Sequence, residues 1–207
     1  MKILLINGSP RAGGNTAIAL KELADTLETE GIETETVQIG SSAVRGCTAC
    51  GACGKTGKCV FTDDPVNEVA EKLKQADGLV VGSPVYYASA NGTLISFLDR
   101  LFRSTPFDKT MKVGASVAVC RRSGATATFD QLNKYFTICG MPVVSSQYWN
   151  VLHGREKGES ALDEEGLQTM RTLGRNMAFL VKSIALGKEK MGLPKKEAVR
   201  FTHFIRK

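Results

Sequence analysis

Residues 1–20 read MKILLINGSPRAGGNTAIAL, and the order of residue types in this stretch decides the fold. KILLI (2–6) is a short apolar run broken at Gly8, which suits a β-strand buried on both faces. Beyond the glycine-rich turn, Ala17, Leu20, Leu23, Ala24 and Leu27 recur at helical spacing, and Gly31 follows where a C-terminal cap is expected. Strand, glycine-rich turn and helix make the opening unit of an α/β fold.

The alternation continues along the chain. ETETVQI (33–39) alternates polar and apolar residues as an edge-leaning second strand does, and a long loop carrying cysteines follows. Asp64 is predicted to cap a helix with Pro65 at its first position and Val66, Val69, Ala70 and Leu73 on its apolar stripe. GLVVG (78–82) is the third strand, and a helix carrying Leu94, Phe97, Leu98 and Leu101 starts at about Asn91. VGASVAVC (113–120) is the fourth strand, followed by a helix over 126–138; PVVSSQYW (142–149) is read as the fifth, and a long helix over 161–186 closes the domain. Right-handed crossovers between parallel strands leave few arrangements, and the pattern predicts a three-layer sandwich: a five-stranded parallel sheet in the flavodoxin-like order 2-1-3-4-5 with helices on both faces. Residues 1–187 form this domain, and 188–207 a basic C-terminal tail.

A chain of 207 residues, 43% hydrophobic, can bury one substantial core. No stretch approaches the roughly 20 apolar residues of a membrane span, and the run before Gly8 is too short for a signal peptide, so the expected location is cytoplasmic. A reducing cytosol disfavours structural disulfides. The tail holds Lys188, Lys190, Lys195, Lys196, Arg200, Arg206 and Lys207 against Glu189 and Glu197, so that it carries nearly all of the net charge of +6. It lacks interleaved stacking aromatics; a solvated tail or a clamp onto a partner subunit is favoured over nucleic acid or lipid.

In sheets of this kind ligands sit outside the carboxyl ends of the strands, where the strand order reverses. NGSPRAGGNT (7–16) offers Ser9, Asn15, Thr16, Arg11, backbone N–H groups and the positive end of a helix, which together make a phosphate site. The G-K-[ST] ending of a nucleoside-triphosphate loop is missing, as is G-x-G-x-x-G; the second strand ends Gln38-Ile39-Gly40 without a ribose-binding acid. SPVYYASANG (83–92) sets Tyr86 and Tyr87 beside Pro84 with small residues behind, a surface for a flat ring with a polar edge. A monophosphate joined to such a ring describes flavin mononucleotide.

GSPRAGGNT, CTACGACGKTGKCVFTDD and ADGLVVGSPVYYASANGTLISFLDR together resemble the NADPH-dependent FMN reductase branch of the flavodoxin-like proteins, and the cysteine spacing is similar to that of the iron-sulfur flavoproteins. The resemblance implies FMN held by Ser9, Arg11, Asn15 and Thr16 at its phosphate and by Pro84, Val85, Tyr86 and Tyr87 along its ring, with Arg122, Ser123 and Gly124 closing the third side. It further implies NAD(P)H as co-substrate, a small-molecule acceptor or a ferredoxin-type carrier as electron partner, and a homodimer or a tetramer made of dimers. No catalytic side chain is expected: the histidines are His153 and His203 alone, and no hydrolase grouping accompanies them.

Cys47-x2-Cys50-x2-Cys53-x5-Cys59 is too compact for the two separated pairs of a zinc ribbon. Short cysteine runs with glycines wrap cubane clusters, and Gly51, Gly54 and Gly57 supply that freedom, with Lys55 and Lys58 to offset negative charge. A 4Fe-4S cluster and idle thiols stand as the main alternatives here, with zinc and a regulatory disulfide behind them. Cys120 and Cys139 are expected to be small buried hydrophobes.

Overall fold

A computed structural model of the chain describes residues 1–202; the end of the basic tail, 203–207 with His203, lies outside the described residues. Strand β1 (Lys2–Asn7) is buried from Ile3 onward. Its alternate side chains feed two separate cores. Ile3 and Leu5 join one, packed under helices α1 (Asn15–Thr29) and α6 (Glu164–Met191). Leu4 and Ile6 join the other, under α3 (Val66–Gln75), α4 (Gly92–Ser104) and α5 (Ala125–Thr137). Burial on both faces is why the strand reads as a continuous apolar run.

On one side β1 pairs in parallel with β2 (Glu33–Gln38), and on the other with β3 (Gly78–Tyr86). β3 pairs with β5 (Val113–Cys120), and β5 with β6 (Val151–His153), giving the path β2-β1-β3-β5-β6. Counting parallel strands only, this is the expected order 2-1-3-4-5. At the β2 edge, Lys2 Nζ lies 3.2 Å from Glu33 and 2.8 Å from Glu35, and Lys72 also reaches Glu35; Lys2 first and Lys72 second hold the Glu35 carboxyl below its usual range.

Three expectations need correction. The segment 142–149 is not the fifth strand. Val143 makes one isolated bridge to Gly114, after which the chain leaves the sheet and returns as β6. The cause is Asn150, which is buried, donates to Ser116 O at 3.1 Å and accepts from Ser146 Oγ at 2.7 Å, closing a loop over the excursion. Tyr148 and Trp149, taken for strand residues, are exposed on that loop. Second, β3 runs on to Tyr86 and turns back as a short antiparallel strand, β4 (Ser89–Ala90), where a loop was expected. Third, α3 begins after Pro65, although Asp64 Oδ1 does accept the Val66 N–H at 3.2 Å, and α6, capped by Asp163, extends past the expected end to Met191. Among the described residues no helix is long and apolar enough to cross a membrane.

Arg100 and Asp64 form a buried ion pair between α4 and the start of α3, with side chains 1% and 2% exposed. Arg100 Nη2 donates to Asp64 Oδ1 at 3.2 Å, and Nη1 donates to the other carboxylate oxygen and to Arg45 O. The Phe61 ring centroid lies 5.1 Å from the guanidinium carbon. A charge withdrawn this far from water is tolerated only because its donors are used.

Two stability outcomes follow from this packing. Arg100→Met strands the Asp64 carboxylate and is expected to cost about 3–5 kcal/mol, while Arg100→Met with Asp64→Leu recovers much of that loss in urea unfolding. At Gly114 an added Cβ meets Phe136 Cγ at 2.5 Å. Gly114→Ala is therefore expected to lower stability by about 1–3 kcal/mol, and Phe136→Leu to restore part of it in the double variant.

Candidate functional site

The loops after β1, β3 and β5 meet at one end of the sheet. The first is fixed by its neighbours: Gly8 N donates to Gly82 O at 2.8 Å, Ser9 N to Asn7 Oδ1 at 3.0 Å, and Arg11 N to Ser9 Oγ at 3.2 Å. Gln38 Nε2 donates to Ser9 O from the end of β2. Beneath the loop lies Gly40, where a Cβ would stand 2.2 Å from the Ser9 carbonyl carbon. α1 then starts at Asn15 with no side-chain cap and no acidic residue in its first turn. Its free N–H groups and positive end thus face the loop, the arrangement that binds an anion.

Ser9 and Thr16 are buried at this cradle, and Arg11 is exposed beside it. Asn15 is placed differently from the expectation. Its side chain donates to Glu156 O at 2.9 Å and accepts from Gly158 N at 2.9 Å and Ser160 N at 3.3 Å, so its carboxamide is committed to the loop 154–160.

The second loop is a hairpin. Tyr87 and Ala88 occupy its two turn positions with φ of 52° and 57°, the left-handed pair of a type I′ turn, here without glycine. Gln131 Oε1, from α5, accepts from Ser89 Oγ and from Ala90 N, each at 2.9 Å, and Ser83 Oγ accepts from Asn91 N at 3.0 Å. Gly124, with φ of 85°, closes the third loop onto this turn; a Cβ there would lie 2.9 Å from Ala88 Cα and 3.1 Å from Val85 Cγ1. Gly124 thus packs against Val85 and Ala88 of the hairpin segment that also holds Pro84, Tyr86 and Tyr87. Arg122, Ser123 and Gly124 line a cavity of about 350 Å³ together with Tyr148, Trp149 and His153. The rings of Tyr148 and Trp149 lie 4.8 Å apart. Gln131 gave no signal in the sequence, and Tyr148 and Trp149 were hidden by the misread strand.

Cys47, Cys50, Cys53 and Cys59 all line a second cavity, of about 550 Å³, together with Arg100, Phe102, Tyr135 and Cys139. Ala49, Gly51 and Gly57 take positive φ along this segment, and Cys53 opens a single helical turn, α2 (Cys53–Thr56). Cys47 and Cys50 are exposed, while Cys53 and Cys59 are half-buried. Among the described residues no three Cys, His, Asp or Glu side chains are drawn together as a metal-holding group. Four thiols on one cavity supply the donor type and number that a cluster takes, but not its gathered placement. Cys59 is the most constrained, since its Sγ accepts from Arg100 Nε and Nη2, both at 3.2 Å. The buried Ser104 hydroxyl on the same wall makes no hydrogen bond among the described residues. Cys120 is buried as expected and Cys139 only half-buried; burial pushes both thiols up from their usual range.

One grouping resembles a hydrolase only on paper. His153 Nδ1 lies 3.4 Å from Asp163 Oδ2, and Ser160 is adjacent, yet Ser160 is fully buried and its Oγ donates to the backbone carbonyl of His153 at 2.9 Å. That hydroxyl does not face the imidazole, so no nucleophile is activated.

Residues 1–156 match the family of NADPH-dependent FMN reductases. An iron-sulfur flavoprotein of Methanocaldococcus jannaschii is 37% identical over 195 residues, covering 89% of this chain and 99% of that one. The iron-sulfur flavoprotein of Methanosarcina thermophila is 32% identical over 194 residues, covering 92% and 100%. Among solved structures, a flavodoxin from the domain Archaea superposes with a TM-score of 0.59 at 18% identity, over 88% of this chain and 99% of that one, a likeness of fold. Matched along most of its length and built on the flavodoxin-like sheet, the chain belongs to the NADPH-dependent FMN reductase family, in its iron-sulfur flavoprotein branch.

Proposed function

We propose that the protein is an FMN-dependent NAD(P)H oxidoreductase that passes electrons from NAD(P)H through FMN to a quinone, a flavin or another acceptor. The observation that carries this reading is the meeting, at one sheet edge, of an uncapped helix start over Ser9–Thr16 and a hairpin wall at Pro84–Ala88 sealed by Gly124. When bound, FMN supplies hydride acceptance and onward electron transfer, and a 4Fe-4S cluster supplies single-electron steps.

Ser9, Arg11, Thr16 and the first N–H groups of α1 are assigned to the phosphate. Pro84, Val85, Tyr86 and Tyr87 flank the ring, and Arg122, Ser123 and Gly124 close its third side. No side chain is assigned as general acid or base. Tyr87 is fully exposed, and Tyr86, Tyr148 and Trp149 are largely so, in the loops beyond the sheet's carboxyl end. Such a display of aromatic surface supports a homodimer or a tetramer that covers this end, and a site reached by a flat acceptor.

A second reading has its own observation, the four thiols on one cavity wall. With Cys47, Cys50, Cys53 and Cys59 as cluster ligands, the protein exchanges single electrons with a ferredoxin-type carrier. Arg100 then supplies two N–H groups to the Cys59 sulfur, the outer hydrogen bonding that orients a ligand and tunes a metal site. A flavin-binding sensor with little turnover is the remaining alternative.

Anaerobic purification with an absorption spectrum and iron and sulfide counted per flavin separates these readings. About four irons per FMN, lost in Cys50→Ala, establishes the cluster; an iron-free flavin spectrum after reconstitution leaves a two-electron reductase. Rapid NADPH oxidation with a quinone excludes the sensor, and slow oxidation with every acceptor overturns the reductase. Gly124→Val, which drives side-chain atoms into Ala88, is expected to weaken FMN binding at least about tenfold, or roughly 1.4 kcal/mol, in a fluorescence-quenching titration.

A further inference from the structure

The loop between β6 and α6 stands over the start of α1, and it is internally built. Glu159 carboxylate accepts from Glu156 N at 2.8 Å and Arg155 N at 2.6 Å; these donors hold its carboxyl below the usual range. Gly158 turns the chain with φ of 97°. At Gly154 the approach is close, since a Cβ there would lie 2.7 Å from Asn15 Nδ2. The Asn15 carboxamide, bonded to Glu156, Gly158 and Ser160, then ties this turn to the first residue of α1.

The residue this latch delivers is Lys157. Its Cε and Nζ stand 3.7 Å and 3.8 Å from where a Cβ would lie on Gly13, one residue before the N-cap of α1. Arg155 is paired with Glu156 at 3.2 Å, but Lys157 forms no ion pair among the described residues. An unpaired ammonium held beside an uncapped helix start adds a point charge where a dianion is already favoured. We propose that Lys157 is a ligand of the phosphate monoester bound by the loop 7–16, and that Asn15 is the positioning residue that carries it there. The proposal rests on the reading of that loop as the FMN phosphate site. The same chemistry is offered by the 2′-phosphate of NADPH, so the test includes both sources.

Apo-protein is titrated with FMN and with riboflavin, which lacks the phosphate, by flavin fluorescence, and the KM for NADPH and NADH is measured on the holoprotein. Lys157→Met is expected to weaken FMN about tenfold, to leave riboflavin unchanged and to flatten the salt dependence of FMN binding, while Lys157→Arg restores most of the affinity. Asn15→Ala produces a similar loss for FMN, and the double variant is little worse than either single one, because both act through the same cation. Lys157 is exposed, so its variant folds independently of the outcome at Asn15. An unchanged FMN affinity in Lys157→Met overturns the inference. Equal losses for FMN and riboflavin do the same, as does a raised KM for NADPH alone with FMN binding intact. If the wild-type protein holds riboflavin as tightly as FMN, the phosphate-loop reading falls, and the inference with it.

Discussion

Where β1 ends there is no room for a methyl group. A Cβ on Gly8 would sit 2.5 Å from Leu94 Cδ2, one on Gly40 would enter the Ser9 backbone, and one on Gly82 would meet Leu20 at 3.0 Å. Gly8 and Gly40 follow the ends of β1 and β2, and Gly82 lies mid-way along β3 opposite Asn7; their closeness draws the loop 7–16 down against β2 and β3. Two features at this end of the sheet follow from that contact: α1 starts out of the loop with no side-chain cap, and β3 continues beyond Gly82 into the hairpin with β4. Side chains here would push the strands apart and widen the cradle beyond the reach of hydrogen bonds.

The parallel core was legible because its residues obey one simple rule, burial on both faces, which makes β1, β3 and β5 read as apolar runs with only small residues between. The fifth strand was not, because β6 is only Val151–His153 and the stretch before it imitates a strand in composition. What removes that stretch from the sheet is the buried carboxamide of Asn150, a residue type that sequence patterns assign to turns without saying how deep the turn lies. The loop motifs at the site were readable as chemistry, residue type by residue type. The partners that fix them were not: Gln131 and the 154–160 turn reach these loops through contacts distant in sequence, and Asn15 shows how a polar residue in such a motif can be committed to a contact of this kind.

Arg100 illustrates the same limit from the other side. On the sequence it sits among the apolar positions of α4 without any sign of a partner, and it is the largest fully buried side chain of the described residues. Its position ties three things together: the start of α3 through Asp64, the cysteine segment through Cys59 and the residue Arg45 just before it, and α4, whose N-cap Asn91 follows the hairpin. At 1.5 Å per residue, Arg100 lies about 14 Å along α4 from Asn91. One helix therefore spans from the hairpin to the thiol cavity.

With FMN at the proposed site, the type I′ turn at Tyr87 and Ala88 bears on how long the flavin would stay. Its strained backbone is already held by Gln131 and backed by Gly124, so little ordering remains to be done when a ring arrives. Preorganisation of this kind lengthens residence more than it speeds capture. On the proposed function, a flavin seated here would outlast many visits by smaller molecules and would behave as a resident part of the protein, with electron donors and acceptors taking turns at its open face.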